Sequence, residues 1–189
     1  IGYLYGMFKL ITNSDEGVLT GKDELFGGSC QRTEATGHGV VYFAEAMAGH
    51  HNLKLEGMTA VVSGSGNVAE YTTRKLITKK AVVQTMSDRG GYLYKESGFD
   101  HKDIQTISTG KKAGQPLADI TVADAEYHEG KPWQKVAADA YFPCATQNEV
   151  GKADAKAMAK TAKLVVEGAN MPLDLEALEV MREAKILYA

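Results

Sequence analysis

At 189 residues the chain is long enough to bury one substantial core, or one domain and part of another. Its 44% hydrophobic and 24% charged residues are ordinary for a soluble globular protein, and a formal charge of −3 gives no general pull toward nucleic acid or an anionic membrane surface. No apolar run is long enough to span a bilayer, no basic-then-apolar signal opens the chain, and Cys30 and Cys144 are too few for a disulfide framework, which together favour the reducing cytoplasm.

Residues 1–13 place Tyr3, Leu4, Met7, Phe8, Leu10 and Ile11 at helical spacing, with Lys9 outside. A turn-rich stretch follows, and 18–31 is punctuated by glycine, which reads as a loop beside a site or as a surface connection. From Thr33 the pattern predicts a second helix. Thr33 or Thr36 is the expected cap, Glu34 suits the first turn, and Val40, Val41, Phe43, Ala44 and Met47 form the apolar face. It ends near Gly49-His50-His51-Asn52. Adjacent helix positions do not face one another, and no cysteine or carboxylate stands at ligand spacing, so no metal site is expected there.

The next stretch organises the rest. A strand over 58–63 runs into Gly64-Ser65-Gly66-Asn67-Val68-Ala69, then a helix over 67–79 and a second strand over 81–87. In this Gly-x-Gly-x-x-Ala turn Gly64 permits a tight elbow, Gly66 lets backbone approach a pyrophosphate, and Ala69 allows close helix–strand packing. The helix N-terminus supplies an anion site without a basic side chain. Asp88 closes the second strand roughly 20 residues beyond the glycines, where a dinucleotide site needs a group on the adenosine ribose. It also reads as a turn residue before Arg89-Gly90-Gly91, and both can hold.

Tyr92-Leu93-Tyr94 alternates like a short strand or hairpin arm. Residues 100–120 are polar and weakly periodic, with Lys111-Lys112 reading as a solvated loop end, and 126–133 is interrupted by Gly130 and Pro132. A strand over 137–142 stops at Pro143, and Cys144-Ala145-Thr146-Gln147-Asn148-Glu149 follows. Leu164-Val165-Val166 leads likewise into Glu167-Gly168-Ala169-Asn170-Met171-Pro172, before a helix over 174–184 and a strand over 186–188. The alternation predicts an α/β fold, a Rossmann-like doubly wound, mostly parallel sheet with helices on both faces. Ligands in such sheets lie outside the carboxyl ends of the strands, so the two amide-bearing loops are expected to share one cleft with the glycine elbow and offer paired hydrogen bonds to a flat carboxamide ring. Asn and Gln in ordinary turns are the bland alternative.

Taken in order, Gly2 to Gly6, Gly17 to Lys22, Gly27-Gly28-Ser29, Glu34 to Gly37, Ser63 to Ala69, Pro143 to Glu149 and Glu167 to Pro172 resemble the cofactor-binding part of the hexameric glutamate dehydrogenase family. The resemblance runs from end to end of these residues but covers less than half of a family enzyme. It implies reversible nicotinamide-dependent oxidative deamination of L-glutamate to 2-oxoglutarate and ammonia. It further implies cofactor contacts from Thr36, Gly64, Ser65, Gly66, Asn67, Val68, Asp88, Arg89, Lys111, Ala145, Thr146, Gln147, Asn148 and Asn170. Thr20 and Arg32 match the edge of the glutamate pocket. Residues 1–32 are expected to be the remnant of a substrate domain with its connecting loop, and 33–189 a dinucleotide-binding domain truncated at its C-terminal end.

Asp88 followed by Arg89, with Lys111 matching a lysine of NADP-preferring relatives, favours NADP, and NAD is the alternative. Several positions depart from the family pattern. Thr33 replaces a Pro, His38 a Tyr, Arg89 a Ser, and Lys80 a Gly that ends the helix; Leu173 and Asp174 replace polar residues. The family's catalytic lysine and its proton-handling acid lie upstream of Ile1, so no catalytic residue is assigned here and this chain is expected to bind cofactor without turnover. A homo-oligomer, a hexamer in the full-length parent, is implied, with no nucleic-acid, membrane or metal partner. The competing readings are another amino-acid dehydrogenase, for leucine, phenylalanine or valine, and a non-catalytic dinucleotide-binding module.

Overall fold

The computed structural model describes residues 1–30 and 32–189. These form two compact units, Ile1–Thr33 and Glu34–Ala189.

In the first unit, α1 (Gly2–Thr12) ends on Asn13, whose left-handed backbone (φ 49°) returns an N–H to the Lys9 carbonyl. Tyr5 is its one buried residue. The phenol donates to Asp15 at 2.5 Å, Lys9 pairs with the same carboxylate at 3.0 Å, and the Lys22 ammonium lies 5.1 Å from the ring centroid. A polar knot, not an apolar stripe, therefore holds this helix. Of the apolar residues at helical spacing, Tyr3, Leu4, Met7, Leu10 and Ile11 are exposed and Phe8 is half-buried. Within the glycine-punctuated stretch, residues 18–30 are a loop containing a one-turn helix, Glu24–Phe26, whose Leu25 N–H is accepted by Asp23, and residue 31 lies outside the described residues.

The second unit comprises α2 (Ala35–His50), β1 (Thr59–Val62), α3 (Asn67–Thr78), β2 (Val82–Ser87), β3 (Gly91–Tyr94) and α4 (His101–Lys112). It continues with β4 (Glu126–Glu129), β5 (Ala140–Phe142), α5 (Lys152–Met158), β6 (Leu164–Val165), α6 (Leu175–Glu183) and β7 (Leu187–Tyr188). The sheet order is β4-β3-β2-β1-β5-β6-β7. Neighbours from β2 through β7 are parallel, and the β2–β3 and β3–β4 pairs are antiparallel. This is the expected mostly parallel, doubly wound α/β sheet.

Strand alternation splits the interior into two cores. Ala60, Val62, Ala140, Phe142 and Leu164 face one side, where Val41, Ala44 and Ala48 of α2, Leu76 of α3 and Ile104 and Ile107 of α4 pack on them. Val61, Tyr141 and Val165 face the other, against Ala155 and Met158 of α5 and Ala177 and Met181 of α6. Parallel strands covered on both faces must be apolar throughout, which is why β1 and β5 show no polar alternation. One register irregularity falls in β1, where Ala60 pairs with Val83 but Val61 with Thr85. The Thr85 hydroxyl compensates, accepting from Val62 N–H (3.1 Å) and donating to Val62 C=O (3.0 Å).

Several local expectations are corrected. Helix α2 starts one residue past Glu34, which makes no side-chain cap bond, and Thr36 lies inside the first turn, so neither threonine is the N-cap. The stretch 100–120 contains α4, begun by a capping box in which Asp100 accepts from Asp103 N–H (2.9 Å) and Asp103 from Asp100 N–H (3.0 Å). Lys111 is in its last turn, not on a loop end. The 137–142 strand shortens to three residues, 140–142, and the interrupted 126–133 stretch opens with β4. Among the described residues no cluster of His, Cys, Asp and Glu forms a candidate metal site, and no helix is long and apolar enough to cross a membrane.

Candidate functional site

From β1 the chain winds outward through β2, β3 and β4, then returns to β5 on the other flank of β1. The β1–β5 boundary is therefore the topological switch point, where the carboxyl ends of parallel strands leave a crevice. Ser63 is the first residue after β1 and is buried. Gly64 follows at φ 88°, and a Cβ there would meet the Ala69 Cβ and the Cys144 carbonyl oxygen at 3.2 Å. Left-handed backbone and lack of space both require glycine. Hydrogen bonds from Gly64 N–H to Ser87 Oγ (2.8 Å) and from Ser87 N–H to Gly64 C=O (3.1 Å) pin the elbow to the end of β2. Gly66 is the N-cap of α3, and the space before its α-carbon is open to 4 Å. A bulky anion can thus approach the backbone at the helix N-terminus, as a dinucleotide diphosphate requires.

A cleft of about 810 Å³ opens over this elbow. Of the residues expected at the site it is bordered by Gly64, Ser65, Gly66, Asn67, Val68, Asp88, Arg89, Ala145 and Thr146. Its far wall, Gly130-Lys131-Pro132-Trp133, and Glu149 on its β5 side were not foreseen as site residues. The wall is carried in by the antiparallel β3–β4 edge, a pairing that the sequence pattern left open. Trp133 is buried, and among the described residues its indole N–H has no acceptor.

Two carboxylates border the cleft. Asp88 Oδ2 accepts from Lys111 Nζ (2.9 Å) and Leu117 N–H (2.8 Å), and Oδ1 accepts from Gly90 N–H (3.0 Å). Burial pushes this carboxyl up, but the bonds from Lys111, Leu117 and Gly90 outweigh it and hold it below the ordinary range. Asp88 is both the turn residue and a group at the cleft, with its charge balanced by Lys111. Arg89 is exposed beside it. Glu149, only 8% exposed, accepts from Ser63 Oγ (2.8 Å) and Ala145 N–H (3.1 Å). Burial dominates there and raises the carboxyl, against the bonds from Ser63, Ala145 and Thr146 and the charge of Lys131. The Lys131 ammonium itself donates to the Glu149 main-chain carbonyl at 2.5 Å.

The single cleft expected for elbow and amide loops is in fact two cavities. Gln147 and Asn148 border a second one of about 580 Å³, with Glu167, Met171, Leu175 and Tyr188. Asn170 borders neither cavity. The reason lies in Asn148, whose left-handed backbone (φ 52°) turns the loop and sends its N–H to the Met171 carbonyl (2.9 Å). The Val150–Leu173 bridge completes that join. The Glu167–Pro172 loop still abuts the elbow, because Gly168 and Ala169 donate to Pro143 C=O (2.8 and 3.0 Å). A Cβ at Gly168 would lie 3.2 Å from a Val68 methyl. Thr36 is exposed in the first turn of α2 and borders no described cavity. Lys111 reaches the cleft only through Asp88. Thr20 and Arg32 belong to the first unit, where both are exposed.

The family profile described as Glutamate/Leucine/Phenylalanine/Valine dehydrogenase matches residues 27–189. The chain belongs to that family. It is 41% identical over its whole length to the NADP-specific glutamate dehydrogenase of Psychrobacter sp. and 43% identical to the NAD(P)-specific glutamate dehydrogenase of Xylanibacter ruminicola, spanning 43% of each. The glutamate dehydrogenase structure from Plasmodium falciparum superposes with a TM-score of 0.86 at 41% identity, covering all of this chain and 41% of that one. The chain thus spans less than half the length of the dehydrogenases it matches. Two departures from the family pattern have structural uses here. Leu173 is buried and bridges Val150, and Asp174 caps α6 by accepting from Ala177 N–H at 2.7 Å.

Proposed function

We propose that the elbow cleft binds a nicotinamide dinucleotide, NADP in preference to NAD, and that this chain is the cofactor-binding part of an NADP-dependent glutamate dehydrogenase. The observation that carries the reading is the Gly64–Gly66 elbow: a left-handed glycine where a Cβ would be crowded, then a helix N-terminus facing open space at the switch point of the sheet. A bound oxidised dinucleotide would supply a nicotinamide C4 able to take the hydride from the Cα of L-glutamate, and water would hydrolyse the resulting imine to 2-oxoglutarate and ammonia. The backbone of Ser65 to Val68 orients the diphosphate. Asp88 carries a charge already balanced by Lys111, so it repels a 2′-phosphate little, and exposed Arg89 is free to move toward one. The NADP-specific names of the Psychrobacter and Chlorella sorokiniana relatives support the same preference, and the NAD(P)-specific Xylanibacter relative keeps NAD as the second cofactor.

Residues 1–32 are the substrate-domain remnant in this reading, with Thr20 and Arg32 at the glutamate pocket, and 33–189 are the dinucleotide domain. Thr36, Gln147, Asn148 and Asn170 reach the cofactor from outside the elbow cleft in a longer, hexameric parent. The test is calorimetric titration of the 189-residue chain with NADPH and NADH, followed by a glutamate-dependent NADP⁺ reduction assay. NADPH binds more tightly than NADH and no reduction is seen. Failure of both dinucleotides to bind refutes the cleft assignment, and measurable reduction refutes the assignment of catalysis to residues outside the chain.

A further inference from the structure

Glu149 is the acidic group at the cleft whose charge is not taken up by a bonded cation. Of the two carboxylates bordering the cleft, Asp88 is ion-paired with Lys111, whereas the Glu149 carboxylate is held by neutral donors, Ser63 Oγ and the Ala145 and Thr146 N–H groups. The nearby Lys131 ammonium bonds the main-chain oxygen of Glu149 and is itself exposed, so solvent and salt screen it more than they screen the buried carboxylate. Sheet order fixes where these charges stand. Asp88 follows β2 and Glu149 follows β5, so they flank the β1 elbow from opposite sides. With the diphosphate at the elbow and the adenosine end at Asp88, Glu149 stands on the nicotinamide side.

Resting on the dinucleotide reading above, we propose that Glu149 sets the redox-form preference of the cleft. Its carboxylate favours the oxidised dinucleotide, whose nicotinamide ring is cationic, over the reduced one, whose ring is neutral. The two forms share their phosphates, riboses and adenine, so every other contact cancels in the ratio of their affinities. What remains in that ratio is the surroundings of the ring, where a fixed charge acts on the one form that is cationic. The same carboxylate is a positioning residue for the Ala145–Asn148 loop, a role that acts on both forms alike.

The experiment measures Kd for NADP⁺ and NADPH on the 189-residue chain, its Glu149→Gln variant and its Ser63→Ala variant. A glutamine carbonyl in place of Oε1 still accepts from Ser63 and Ala145, so E149Q removes the charge and keeps those two ties to the loop. The ratio Kd(NADP⁺)/Kd(NADPH) rises on the order of tenfold in E149Q, as expected for one unit charge across a partly solvated site. S63A, measured well above the Glu149 pKa so that the charge is kept, removes the Ser63 Oγ bonds to Glu149 and from Cys144 N–H and leaves the ratio where it was. A ratio unmoved in E149Q, or moved as far in S63A, overturns the proposal.

Should E149Q fail to fold, the unmutated chain gives the same answer. The other ionisable groups facing Glu149 are Lys131 and Cys144, and burial pushes the Cys144 thiol up to about 12. As pH falls through the raised Glu149 pKa the carboxylate gains its proton and the ratio climbs. A ratio constant across that range overturns the proposal. If neither dinucleotide binds the unmutated chain, the cleft assignment fails and this inference with it. Binding of both without a differential shift removes this inference alone.

Discussion

Asp88 and Glu149 border one cleft yet titrate in opposite senses, because three hydrogen bonds overcome burial at the first and burial prevails at the second. The signs for stability follow. Asp88, depressed in the folded state, contributes stability that is present above its unfolded pKa and lost as pH falls through the folded value. Glu149, raised in the folded state, contributes stability that is present below its unfolded pKa and lost as pH rises through the folded one. Asp88→Asn therefore lowers stability near neutrality by on the order of 1–2 kcal/mol, with the difference closing in acid. Glu149→Gln raises thermal stability near neutrality, and that difference also closes in acid. Thermal melts of the two variants across pH check both signs; a Glu149→Gln melt below that of the parent at neutral pH contradicts the second. Asp88 could be found from the sequence, because an apolar strand ends in Asp-Arg-Gly-Gly at a known distance from the glycines. Glu149 could not, since nothing in a chain of letters says which carboxylate ends buried beneath a loop.

At the scale of elements, long periodic segments such as α2 and α3 and the apolar strands β1 and β2 were legible within one or two residues. Helix α4 was not, because its buried face is only Ile104, Ile107, Ser108 and Gly110, too polar to register as an apolar stripe. The clue present was Asp100 three residues before Asp103, a capping box with Asp in both places. The α3–β2 connection carries a testable cost. Lys80 sits at φ 61°, where an L side chain is strained, and its pair with Glu56 (2.9 Å) is exposed and worth little. Lys80→Gly relieves the strain and stabilises the domain by roughly 0.5–1 kcal/mol, read as a higher denaturation midpoint at unchanged slope. An unchanged or lower midpoint means that the unfolded-state entropy of the new glycine outweighs the relief.

For the molecule as a whole, the unsettled surface is α1. Tyr3 is 94% exposed, Leu10 79% and Ile11 78%, a continuous apolar face with a polar knot behind it. Such a face drives self-association in water. Sedimentation velocity on the chain shows concentration-dependent oligomers, and the double change Leu10→Lys and Ile11→Lys restores a monomer without altering dinucleotide affinity. A monomer at all concentrations before mutation contradicts this. The two thiols differ as sharply as the two faces of the helix. Cys30 is exposed, while Cys144 is buried and its thiol is pushed up to about 12. A maleimide dye therefore attaches at Cys30 alone, giving the wild-type chain a single optical reporter without engineering and leaving the cleft chemically untouched.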